Sequence, residues 1–100
     1  MRAPTFDLTL LRTLVAIADT GSVTAAAKRL AYTQSTVSMQ LQRLEAQLAV
    51  SLHEREGRRL RFTAEGERLL AHARRLLALN DEAWSDMQAR QITGDLTLGI

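Results

Sequence analysis

One hundred residues, 46% of them hydrophobic, suffice for one small core and leave little room for a second complete domain. The absence of cysteine excludes a disulfide framework, a thiolate zinc site and a cysteine nucleophile, and it suits a reducing cytoplasm. The formal net charge of +2 conceals an asymmetry: residues 1–63 carry nine Lys/Arg against five Asp/Glu, whereas residues 64–100 carry four against six, so a basic head suited to a polyanion precedes an acidic tail.

The single proline, the four aromatic residues and the abundance of Ala, Leu, Arg and Glu favour a mainly helical chain. Asp7 is a capping residue for a first helix with two apolar stripes, one through Leu8, Leu11, Val15 and Ala18 and the other through Leu10, Leu14 and Ile17. Such a helix is buried on two sides. Gly21 ends it, and Ser22 or Thr24 caps a short second helix at Val23–Leu30, built around three alanines that let a neighbouring helix come close. After a break at Ala31 and Tyr32, Thr33 caps a third helix over residues 34–47. Two helices joined by so short a turn must cross steeply.

At about 100° per residue the third helix divides into two faces. Val37, Leu41, Leu44 and Leu48 share one sector, while Ser35, Met39, Gln42, Arg43 and Ala46 lie opposite, flanked by Thr36 and Ser38. The outward face is small, polar and mostly uncharged, unlike a solvated face laced with Glu and Lys. In a helix-turn-helix the second helix enters the major groove and its N-terminal residues reach base edges. Gln34 would pair with adenine, Ser35 and Ser38 would donate or accept, Thr36 and Met39 would touch thymine methyls, and Arg43 would reach phosphate or guanine. Taken alone, the segment is equally well described as an amphipathic helix with a solvated polar face.

Two short β-like runs follow, near residues 52–54 and 60–62, around a tip rich in arginine: Arg55, Arg58, Arg59 and then Arg61. Beside the third helix such a hairpin forms a wing on phosphates or in the minor groove, although Glu54 and Glu56 also suit a solvated charged turn. Thr63 caps a long helix reaching about residue 91, with Glu65 and Glu67 favourably placed in its first turn. At 1.5 Å per residue it is about 40 Å long, more than so small a core covers. Leu69 and Leu70, Leu76 and Leu77, and Ala83 and Trp84 recur every seven residues, with Ala73 and Met87 between, which reads as a seam for a second copy. Residues 94–100 alternate as a strand would, the opening of a further domain.

Other function classes lack their residues. His53 and His72 lie on different elements, with no glycine-rich phosphate loop and no metal-ligand spacing, so neither catalysis nor a metal site is indicated. No stretch is long and apolar enough for a membrane partner. A protein-interaction module would explain the long helix but not the wing.

The segments from Gly21 through Ala27, then Leu30, Gln34-Ser35-Thr36-Val37-Ser38, Leu44-Glu45, Leu52 with Arg55, and Thr63 with Gly66 form a specific set. On these residues the chain resembles the N-terminal region of LysR-type transcriptional regulators along nearly its whole length. The resemblance implies a winged helix-turn-helix over residues 6–63, a linker helix over 64–92 that pairs antiparallel with its twin, and an effector-binding domain of periplasmic-binding-protein type starting at 93–100. It implies a cytoplasmic bacterial homodimer on an interrupted palindrome of double-stranded DNA, assembling to a tetramer at full length. A small-molecule effector belongs to the further domain, and this segment needs no cofactor. By similarity Gln34, Ser35, Thr36, Ser38 and Met39 hold base-reading positions, Thr24 and Arg43 touch phosphate, and Arg55 and Arg58 belong to the wing. Three residues depart from the family's usual pattern. Met39 stands where arginine is common, which favours an apolar readout. His53 stands where phenylalanine is common, and a packed, partly exposed ring is expected there. Ala49 stands where glycine is common, so the turn after the third helix lacks its permissive residue.

Overall fold

The computed structural model describes residues 4–57 and 59–98, with side chains described through residue 89. Its elements run α1 (Leu8–Thr20), α2 (Val23–Leu30), α3 (Gln34–Leu48), β1 (His53–Glu56), β2 (Arg59–Phe62) and α4 (Ala64–Leu98). Each helix begins where a side chain satisfies an orphan amide. Asp7 accepts from the Thr9 amide, Ser22 from Ala25, Thr33 from Thr36 and Thr63 from Gly66. Gly21 closes α1 in the left-handed conformation. Ala31 and Ala49 close α2 and α3 in that same conformation, at φ 60° and 55°. Ala49 therefore carries the backbone strain its missing glycine implies, and Ala31 carries it as well.

Helix α1 sits at the centre and packs against α2, α3 and α4. Leu11, Leu14 and Ile17 from α1, Ala26 from α2, and Val37 and Leu44 from α3 are wholly buried, and Ala73 of α4 closes the other side. Thr13 is the buried polar residue, and its hydroxyl donates to Gln40 Oε1 on α3. That bond meets the requirement that a buried polar group have a partner. At the rim of α1, Arg12 pairs with Asp81 at 2.6 Å and Arg74 with Asp19 at 2.7 Å, both joining α1 to α4.

Leu52 is the residue through which α3, the hairpin and α4 meet. Its amide donates to Glu45 Oε2 on α3 at 2.8 Å, its carbonyl accepts from the Thr63 amide at 3.0 Å, and its side chain is wholly buried. Thr63 Oγ1 also donates to the carbonyl of Ser51 at 2.6 Å. Gly66, one turn into α4, lies so close that a Cβ there would stand 2.0 Å from the Leu52 oxygen. Only glycine fits. His53, half-buried, brings Nδ1 within 3.0 Å of the same Glu45 oxygen, as a packed ring rather than an exposed one.

The hairpin is antiparallel, with His53 opposite Phe62 and Arg55 opposite Leu60. Its strands start and end within a residue or two of the positions predicted. The linker helix runs to Leu98 rather than to residue 92, so residues 94–98, read as a strand, are helical; Gly99 and Ile100 lie outside the described residues. A strand needs a ladder partner, and among the described residues the sheet consists of β1 and β2, whereas a helix satisfies its amides internally. Among the described residues no helix is long and apolar enough to cross a membrane.

Gly66→Ala forces backbone against backbone, so chemical denaturation should show a loss of about 3 kcal/mol or more, and a loss below about 1 kcal/mol would contradict the contact. Hydrogen bonding from Arg74 holds the Asp19 carboxyl below its ordinary value, and hydrogen bonding from Arg12 does the same for Asp81. Their stabilising contribution is therefore full above about pH 4 and is lost as the pH falls through the lowered values. Wild type should lose more stability between about pH 6 and pH 3 than the Asp19→Asn, Asp81→Asn double variant. Equal acid sensitivity would show that the pairs do not hold α4 to α1.

Candidate nucleic-acid interface

The burial of Val37, Leu41 and Leu44 turns one side of α3 into the core, which leaves Ser35, Met39, Gln42 and Ala46 exposed on the opposite ridge, with Arg43 beside them. Thr36 and Ser38 are half-buried on its flanks. The Thr36 hydroxyl is 2.9 Å from that of its cap, Thr33, so Thr36 is engaged in starting the helix as well as lying near the ridge.

Thr24, Gln34 and Arg55 come together. They line one shallow concavity, with Ser22, Val23 and Leu60, between the starts of α2 and α3 and the first strand of the wing. Both helices carry no acidic residue in their first turn. Two positive helix termini thus face one opening beside a guanidinium, a setting suited to an anion.

The register of the hairpin separates arginines that the sequence treats alike. Arg55 lies opposite Leu60, on the face turned to α2 and α3, whereas Arg59 lies opposite Glu56 and Arg61 opposite Glu54. Arg61 is committed to Glu56 at 3.2 Å. Arg55 and Arg59 are exposed, and Arg58 lies outside the described residues. Lys28 and Arg29 in the last turn of α2 add exposed positive charge that the sequence reading passed over, although two basic residues ending a helix were a visible signal. Arg29 is only loosely engaged, 3.9 Å from Asp19.

The expected seam on α4 also divides. Leu69, Leu70, Ala73 and Leu77 are buried in the chain's own core, so these four are corrected from seam to core. The seven-residue repeat merged two stripes, because the apolar packing of the head on α4 ends at Leu77. Leu76, on another face of the helix from Leu77, and Ala83, Trp84 and Met87 beyond them remain exposed, Trp84 at 69% and Met87 at 55%. Leu79, 61% exposed and on the same side as Leu76 and Ala83, joins them. It was missed because it falls outside the seven-residue count, though it lies three residues after Leu76. Among the described residues no group of acids, histidines or cysteines is placed to hold a metal ion.

Comparison with known proteins agrees with this arrangement. Residues 8–67 match the family model described as the bacterial regulatory helix-turn-helix protein, lysR family. The chain is 45% identical over 93 residues to the HTH-type transcriptional regulator PecT of Dickeya dadantii (strain 3937), covering 93% of this chain and 29% of that protein. It spans about three-tenths of the length of the curated relatives it matches. Among solved structures it is similar to the CbnR_DBD–DNA complex, with TM-score 0.77 and 38% identity over 84% of this chain and 97% of that one. It is likewise similar to the BenM_DBD/catB site 1 DNA complex, with TM-score 0.80 and 34% identity over 85% and 94%. A three-helix head with a two-stranded wing and a long following helix, matched to these proteins in sequence and in structure, belongs to the lysR family of bacterial regulatory helix-turn-helix transcription regulators.

Proposed function

We propose that this chain is the DNA-reading and pairing segment of a LysR-type regulator, with α3 in the major groove and Arg55 on a phosphate. One observation carries the reading: the ridge of α3 opposite the core is exposed and uncharged, while Arg43 lies beside it on the same helix and Arg55 of the wing lines a concavity with Gln34 at its start. Base edges are read by short polar and apolar groups, and phosphates by cations, so this distribution suits a duplex. Thr24, Gln34 and Arg55, gathered at two helix N-termini, would grip one phosphate and fix the register of the ridge. The DNA in the CbnR_DBD and BenM_DBD complexes supports the assignment.

Two copies pair through the exposed stripe of Leu76, Leu79, Ala83, Trp84 and Met87, which the head leaves uncovered. The pair presents two α3 ridges to the half-sites of an interrupted palindrome, about one helical turn or a multiple of it apart. Control by a small-molecule effector, and a tetramer that grips two sites, belong to the length of the relatives that this chain does not span. The setting is the bacterial cytoplasm.

Selection from random duplexes across a salt series tests the reading. It should enrich a two-fold-symmetric site, with affinity falling steeply as salt rises. On that site Arg55→Ala should weaken binding several-fold and reduce the salt slope by about 1. Retention without enrichment, or an unchanged slope for Arg55→Ala, would contradict it, and failure to retain any duplex would favour a protein-interaction module.

A further inference from the structure

The ridge of α3 offers a duplex one hydroxyl, one thioether, one amide and one methyl, from Ser35, Met39, Gln42 and Ala46. Met39 is the longest apolar group there and is 49% exposed. It belongs neither to the buried core nor to the partly buried side chains packed against it. About half of its surface is thus open to solvent and it takes no part in the buried core of the head, so α3 would form as well with a polar residue at this position. Tyr32 and Val50 are the other exposed large apolar residues of the head, and both lie outside α3.

In the major groove each base pair offers donors and acceptors, but the one apolar group is the C5-methyl of thymine. A thioether donates no hydrogen bond and accepts only weakly, so Met39 gains nothing from guanine O6 or N7 or from the cytosine amino group. It is flexible and polarisable enough to cover a methyl group at short range. The positive charge that holds a duplex is supplied from beside the ridge, by Arg43 on α3 itself and by Arg55 of the wing near the start of α3, so position 39 need not supply it. Gln42, three residues on and on the same ridge, is placed for the polar edge of the same or the neighbouring base pair.

We propose that Met39 is a reader of the pyrimidine C5-methyl group, so that one position in each half-site is specified by a methyl, whether of thymine or of 5-methylcytosine, rather than by a hydrogen-bonding edge. This rests on α3 facing DNA. One methyl taken out of water changes affinity by about fourfold.

The test uses a duplex retained by the wild-type chain, with each thymine of both half-sites replaced in turn by deoxyuridine, which removes only the methyl. At one position per half-site the replacement should weaken wild type about fourfold and leave Met39→Ala, which binds the thymine duplex more weakly to begin with, unchanged. At that position 5-methylcytosine should be bound about fourfold more tightly than cytosine by wild type and equally by Met39→Ala. Because Met39 lies outside the core, circular dichroism should be the same for both proteins. Insensitivity of wild type to deoxyuridine everywhere would overturn the assignment of Met39 while leaving α3 in the groove. Full sensitivity retained by Met39→Ala would assign the methyl to another side chain and overturn it equally. A wild-type chain that retains no duplex would overturn the placement of α3 in the groove, and this inference with it.

Discussion

The peptide groups on either side of Leu52 are the point on which the rest of the molecule depends. The amide is held by Glu45 of α3 and the carbonyl by the Thr63 amide, and the close approach of α4 to that carbonyl is possible because residue 66 has no side chain. The wing cannot move relative to α3 without breaking the first bond, nor relative to α4 without breaking the second. A two-stranded hairpin of this length is marginal alone. Its fixed position comes from these bonds and from the burial of Leu52 among the helices, with Leu60 and Phe62 at the edge of that core. Arg55 consequently stands beside Gln34 and Thr24 as part of one surface, although 31 residues of chain separate it from Thr24.

The same economy governs α3. Its core side is made of Val37, Leu41 and Leu44, so its opposite side takes no part in the core. The division of labour extends to charge. Exposed cations lie off the ridge, Arg61 is neutralised by Glu56, and the acids of α1 and α4 that carry ion pairs, Asp19 and Asp81, are occupied by Arg74 and Arg12. Those pairs are exposed and individually weak, and they add to the apolar packing that holds α4 against α1.

Much of this architecture was legible in the residues. The caps at Asp7, Ser22, Thr33 and Thr63 are local, made by a side chain and an amide two or three residues apart, and local signals survive folding. The two faces of α3 were legible because its apolar residues keep one helical period. The partition of α4 was not. A seven-residue repeat shows that Leu69, Leu70, Ala73 and Leu77 are apolar, but which body covers them depends on where α1 ends in space, and Leu79 is exposed only because nothing in the head reaches it. Glu45 was visible in the motif without its role, since its partner amide is seven residues away in a loop. The fate of residues 94–98 was obscured because alternation is read as a strand only when a partner strand exists. Arg55 and Arg59 were equivalent until the register placed them on opposite faces.

We propose α2, α3 and the wing as one DNA-facing surface and the far part of α4 as the surface that pairs with a second copy. Amide and methyl chemical-shift mapping, with the selected duplex titrated into the chain, measures this most directly. The largest changes are expected at Thr24, Ser35, Met39, Gln42 and Arg55, with little change from Leu76 to Met87, where the proposed pairing would precede the addition of DNA. Changes concentrated between Leu76 and Met87, with the ridge of α3 silent, would contradict it.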